Sequence, residues 1–229
     1  TDQVNTIRWM RAGKVLSVGT AGGEFIVSQG DNNSPISPTN TRVVRQTTFG
    51  SAAVTPPQVG NSVLFLQRAN RKVRAYTAPD LSILSEHITE GGVVEMAYQQ
   101  EPDSIVWMAR SDGVLLGMTY ERAQDVVGWH RHIIGGLGAK VESVAVIPDP
   151  QGSRDDLWAV IQRTVNGQSV RYIEFMTAGL PEVPTNTIQA TYLDSMLTYE
   201  GGAVSSVLGW MIRTRLFMSD CHIHLRCKQ

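Results

Sequence analysis

Apolar and polar residues alternate along this chain in short runs, and they do not recur every three to four positions. The runs are four to seven residues long, rich in β-branched and aromatic side chains, and are bounded by Gly, Asn, Asp and Pro. No stretch of about 12 residues keeps an i, i+3, i+4, i+7 apolar stripe between caps, so the pattern predicts an all-β chain.

The runs fall into four sets. The first is IRWM (7–10), VLSVG (15–19), EFIVS (24–28) and RVVRQ (42–46). The second is AAVT (52–55), SVLFLQ (62–67), KVRAY (72–76) and a weaker LSIL (81–84). The third is VVEMAY (93–98), SIVWMAR (104–110), VLLGMTY (114–120) and VVGWHRH (126–132), with a hairpin turn at Ser111-Asp112-Gly113. The fourth is VESVAVI (141–147), DLWAVIQ (156–162), SVRYIEF (169–175) and NTIQAT (186–191), closed centrally by Val165-Asn166-Gly167.

The second strand of each set starts near residues 15, 62, 104 and 156, a spacing of about 40 to 50 residues with about four strands per step. That is the period of a β-propeller blade, and the reading is a β-propeller-like fold of about four antiparallel four-stranded blades, incomplete or degenerate. A four-stranded blade cannot cover both of its faces, so neighbours must stack to hide them. A pair of β-sandwiches also yields short strands at this spacing and is the alternative. Phe65, Trp107 and Trp158 stand at similar places on the second strands, each followed by an arginine (Arg68, Arg110, Arg163) suited to packing at a strand end. The propeller-like domain is expected over residues 1–180, and 181–229 forms a C-terminal extension, β-rich at first and then atypical or disordered.

Composition narrows the function. Twenty basic residues against 21 acidic ones leave a net charge of −1 with no basic cluster, which argues against tight, sequence-reading contact with nucleic acid. No apolar run approaches the roughly 18 residues that span a bilayer, and the first residues lack a secretory pattern. The opening Thr, close to the first strand, suggests a piece of a longer polypeptide. Both cysteines, Cys221 and Cys227, fall near the end, so the main domain owes nothing to disulfides.

Three groups of residues invite a chemical reading. His130 and His132 share one face of a strand, about 7 Å apart at Cα, which is a possible start for a metal site lacking its further ligands; surface or inter-blade packing is the plainer reading. The run from Cys221 to Cys227 (CHIHLRC) has zinc-ligand residue types at a spacing too tight for an ordinary finger. Glu95, Glu101, Asp103, Asp112, Glu121 and Asp125 fall within one set, but turns and loops account for several of them, and no nucleophile elbow or metalloprotease motif accompanies them. Gly91-Gly92 and Gly135-Gly136-Leu137-Gly138 read as inter-blade turns rather than phosphate loops. No catalytic, cofactor or metal residue is therefore assigned. The polar loops 30–41, 86–92 and 148–155 are the candidate interface regions, and the Pro-rich loop 177–187 suits linkage.

Several phrases are familiar: GTAGGEFIVS, RQTTFGSAAV, GNSVLFLQRANRKVR, the long stretch from Asp80 to Arg122, VVGWHRH and YLDSMLTYEG. Together, from Ile7 to Gly201, the chain resembles the tail nozzle or tail-hub proteins of short-tailed bacteriophages and prophages, of the tail tubular protein B type. The resemblance implies a non-enzymatic virion subunit, hexameric in the intact virion, with a propeller-like domain beneath adaptor and portal proteins. It also implies assembly in the host cytoplasm, a place in the virion tail lining the DNA-ejection conduit, only weak non-specific DNA contact, and no cofactor. A glycan-binding or glycan-hydrolysing propeller module of a phage tail is the alternative. Residues 207–229 depart from the family pattern, as a frameshift, truncation or artefact would.

Overall fold

The computed structural model describes residues 5–13, 15–30, 35–76, 80–150 and 152–176, with two short backbone strands further on. Within these residues the chain is all-β and folds into four antiparallel sheets arranged in sequence order. The first sheet is a meander of β1 (Ile7–Ala12), β2 (Leu16–Thr20), β3 (Gly23–Gln29) and β4 (Thr41–Thr47). The second holds β5 (Gln58–Val59), β6 (Ser62–Leu66) and β7 (Val73–Ala75). The third is β8 (Val93–Gln99), β9 (Ile105–Arg110), β10 (Leu115–Glu121) and β11 (Val126–His132). The fourth begins with β12 (Lys140–Pro148), β13 (Asp155–Val165) and β14 (Gln168–Met176), which β16 (Leu225–Cys227) and β15 (Ser195–Leu197) extend in the order β12-β13-β14-β16-β15.

Both expected hairpins form. Gly113 takes φ +95°, and Asn166 and Gly167 take φ +51° and +76°, the left-handed pair that a tight primed turn requires.

The second sheet is thinner than its sequence suggests. Residues 52–55 and 81–84 are not strands; what survives there is the isolated bridge of Ser51 to Gln67 and that of Arg74 to Asp80. Pro56 and Pro57 follow the first segment and cannot donate to a ladder. In the second, Asp80 Oδ1 accepts hydrogen bonds from the Ser82 amide and hydroxyl at 3.0 and 2.6 Å, a local turn that competes with pairing. The NTIQAT segment lies outside the described residues. The tail, expected to be atypical or disordered, contributes strand β16, antiparallel to β14 and parallel to β15.

Alternation on the central strands organises the packing. On β9, Val106 and Met108 point into an apolar cluster shared with Leu64, Leu66, Val73 and Ala75 of the second sheet. Trp107 and Ala109 point the other way, into a cluster with Val141, Val144, Leu157, Ala159 and Ile161 of the fourth. On β6, Val63 and Phe65 meet Trp9 of the first sheet, while Leu64 and Leu66 meet the third. The four sheets therefore stack face to face, one to four, and the middle sheets are buried on both sides. This corrects the expected equivalence of the three aromatics. Phe65 faces the preceding sheet, whereas Trp107 faces the following one; a one-residue offset along a strand reverses the face.

The joints between sheets repeat in detail. The amides of Ser51, Val93 and Val141, each at the start of a sheet, donate to Thr20, Asn70 and Gly113 in the central turn of the sheet before, at 2.7, 2.8 and 2.9 Å. Two of the expected strand-end arginines also lock joints. Arg110 forks onto Asp112 at 2.8 and 2.6 Å and donates to the Ile88 carbonyl at 2.7 Å. Arg163 forks onto Glu174 at 2.7 and 2.8 Å and donates to the Gly135 carbonyl at 2.8 Å. In both cases the carboxylate fixes the guanidinium, which in turn ties down the linker into its own sheet. Arg68 takes part through its backbone alone, its amide donating to Gly50 at 3.0 Å.

One asymmetry stands out. Val93 pairs with Arg110 just before its turn, but Val141 pairs with Ile161 and β13 runs on to Val165, so the last central hairpin overhangs the others.

Leu116 is fully buried between the second and third sheets, and its replacement by Ala should cost about 2–5 kcal/mol in urea unfolding. Leu84, 90% exposed, should tolerate the same change within about 0.5 kcal/mol.

Candidate functional site

The histidine pair is built by three strands of the third sheet. β11 lies at that sheet's edge beside β10, in register His130 with Gly117 and His132 with Leu115. Alternation sends Trp129 into the cluster shared with the second sheet, where its Nε1–H donates to the Leu81 carbonyl at 2.9 Å. His130 and His132 point to the opposite face, against Trp107, whose ring centroid is 5.6 and 5.3 Å from theirs. The expected split of the two faces of VVGWHRH therefore holds, and the pair sits on the side that meets the fourth sheet.

Gly117 makes room for the pair. A Cβ there would collide with the His130 ring, so the absent side chain is what lets the imidazole lie across β10. Trp107 is fixed in turn by Nε1–H donating to Gln99 Oε1 at 2.7 Å.

His130 Nδ1 and His132 Nε2 are in direct hydrogen-bond contact, and His132 Nδ1 is buried with no hydrogen-bond partner. An orphaned buried N–H costs more than an orphaned lone pair, so we assign the Nδ1 of His132 as unprotonated and its Nε2–H as the donor to His130. Burial pushes the His130 pKa below its ordinary value. Burial, reinforced by His130, pushes that of His132 down to about 4. Both rings are therefore neutral near pH 7.

This arrangement suits packing better than chemistry. A dyad needs a nucleophile or an orienting carboxylate, and the groups found against these rings are each other and an indole. A shared zinc ion holds each nitrogen about 2.0–2.1 Å away, which spreads the two nitrogens farther apart than a direct hydrogen bond does. Among the described residues no group of three or more His, Cys, Asp or Glu is placed to hold a metal. Cys221 lies outside the described residues, and Cys227 ends β16.

The acids of the third set are dispersed. Asp112 is held by Arg110, Glu121 caps the short turn at Arg122–Gln124, and Glu95 Oε2 accepts from the Ser143 hydroxyl and Val144 amide at 2.6 and 2.8 Å across the joint to the fourth sheet. Asp125 takes left-handed φ +54° as the cap ending that turn. Two fully buried carboxylates escaped the sequence reading. Glu174 answers Arg163, and Glu24 accepts from Ser51 Oγ at 2.7 Å and from the Thr47 hydroxyl. Glu174 falls on the core face of β14, opposite Ala159. Of the candidate loops, 86–92 buries Ile88 and Thr89 and exposes Glu86, His87, Glu90 and Gly91. The glycine pairs 91–92 and 135–138 lie in the linkers between sheets, as expected.

No protein-family model matches this chain, and no curated protein matches it.

Between pH 6.5 and 4 the unfolded chain binds a proton that folded His132 refuses, so stability should fall as the pH drops through that window and level off below it. The full loss is on the order of 3 kcal/mol, and His132→Leu should flatten the profile measured by urea melts. Gly117→Ala should destabilise by about 1–3 kcal/mol, with much of the loss recovered in the Gly117→Ala/His130→Ala double variant.

Proposed function

We propose that this chain is a propeller-like part of a phage tail nozzle or hub, a non-enzymatic subunit that works through protein interfaces and forms part of the DNA-ejection conduit. The observation that carries the reading is the joint repeated between successive sheets, with the same amide-to-turn bond at each step. Repetition of one joint along a stack is how propeller blades follow one another. The resemblance from Ile7 to Gly201 adds the tail assignment.

Charge fits a conduit. With −1 overall, the chain lacks the dense Lys and Arg contacts that hold a polyanion by counterion release, and DNA can pass. Among the described residues Asp80 and Glu86 converge, but both are engaged by Lys72 Nζ at 3.4 and 2.8 Å, so the repeated joints remain the observation that favours the structural reading.

The polar loops 30–41, 86–92 and 148–155 are the contact regions of this reading; the first joins β3 to β4 and the last β12 to β13. Gold labelling of a tagged copy in particles of the parent phage should mark the tail; unlabelled particles reject the assignment. Shortening the first or the last of these loops should lower the yield of complete tails in an assembly assay without shifting the melting temperature of the isolated chain.

A further inference from the structure

The linkers into the third and fourth sheets, 80–92 and 133–139, lie at the end of the stack where the central turns reverse. Arg110 of one turn holds the Ile88 carbonyl and Arg163 of the next holds the Gly135 carbonyl, so both linkers are fixed against that end. They carry the four most exposed large apolar side chains among the described residues: Leu84 at 90%, Leu137 at 85%, Ile133 at 80% and Ile83 at 66%. A lone exposed leucine needs no explanation. Four such side chains on successive linkers, whose sheets pack about 10 Å apart, make an apolar surface of the kind that marks an interaction site. Beside the first linker opens a cleft of about 260 Å³, lined by Gln67, Ala69, Arg71 and Lys72 of the second sheet's turn and by Glu86.

Charge at this end is one-sided. Glu86 is engaged by Lys72 at 2.8 Å, Asp112 by Arg110 at 2.6 Å and Glu142 by Arg171 at 2.6 Å, and Glu90 lies in the field of Arg110. Arg68, Arg71 and Arg131 are exposed and form no ion pair among the described residues. On the third and fourth sheets the opposite end carries the reverse sign. Glu101, Asp103 and Asp125 stand exposed in its turns, while its arginines are occupied, Arg122 with Ser62 Oγ at 2.7 Å and Arg154 with Asp156 at 2.8 Å.

We propose that this linker end is a docking surface for an acidic protein segment that carries apolar side chains of its own. Ile83, Leu84, Ile133 and Leu137 cover those apolar groups, and Arg68, Arg71 and Arg131 answer the carboxylates. The charge asymmetry decides the occupant, because an acidic segment is drawn to the linker end and repelled from the opposite one. Three separated cations are too few to hold nucleic acid by counterion release, and aliphatic side chains give its bases nothing to stack on. The inference rests on the reading above, in which the chain works through protein interfaces; what it adds is the surface and the chemistry of the partner.

The test is a titration of the full chain, followed by backbone amide NMR, with three probes: a synthetic peptide alternating glutamate and leucine, its lysine and leucine counterpart, and phosphatidylglycerol vesicles. The acidic peptide should shift the amides of 68–71, 83–84 and 131–137, and the basic peptide should bind about tenfold more weakly or less. Leu84→Ser with Leu137→Ser should weaken the acidic peptide about tenfold or more, the loss expected of interface anchors. Arg68→Glu with Arg71→Glu should remove the preference for acid, whereas Glu101→Lys with Asp103→Lys, at the opposite end, should leave binding at the linkers unchanged. All these positions are exposed, so the variants fold. Equal binding of both peptides, no shifts at the linkers, or variants that bind as the wild type does overturn the proposal. Vesicles that bind more tightly than the acidic peptide overturn it in favour of a lipid surface. Tail labelling without peptide binding removes the surface alone, and peptide binding at the linkers with unlabelled particles removes the tail assignment alone.

Discussion

Everything in this fold depends on strands that must be buried on two sides at once. A single antiparallel sheet can keep one face wet, and alternation then separates apolar from polar positions cleanly. Here β6 and β9 have no polar face to offer: all five residues of β6 are buried, as are the four central residues of β9. Neither sheet is stable alone, and each is complete only between two neighbours. Face-to-face stacking in chain order follows from that, because the next stretch of chain is the nearest available cover.

Polar groups in the joints obey the same constraint. A buried carboxylate or amide is tolerated only when fully bonded. Glu24, Glu95 and Glu174 are each engaged by hydroxyls, amides or a guanidinium, and the first two tie together segments distant in sequence. Apolar contact sets which faces meet. The directional bonds of Ser51, Val93 and Val141 then set how far one sheet slides past the next. The histidine pair is the weak point of this economy, since it hides a titratable group where only its neutral form is at ease.

Much of the architecture was legible in the sequence, because period-two alternation between Gly, Asn and Pro is a direct image of strands and turns. The third set matches its sheet almost residue for residue, and the hairpins at 111–113 and 165–167 fall where the turn residues stand. The second set was misjudged where local chemistry overrode pattern, in the prolines after residue 55 and in the Asp80–Ser82 turn. The aromatic alignment failed for a subtler reason. Spacing measured to within one residue suffices to find a strand but not to say which face a side chain takes, and Phe65 lies on the wrong side of that margin. The partnership of Arg163 with Glu174 needed the cross-strand register, which composition does not encode.

The overhang of the last central hairpin gives the molecule a step. Running on from Ile161 to Val165 at about 3.3 Å per residue, β13 carries its turn roughly 13 Å beyond the level at which the third sheet reverses. A flat neighbour laid across that end meets this ridge first and must either tilt or notch itself around Asn166 and Gly167. The ridge thus gives an otherwise repetitive body a single angular mark, by which anything that touches it can tell one sheet from the other three.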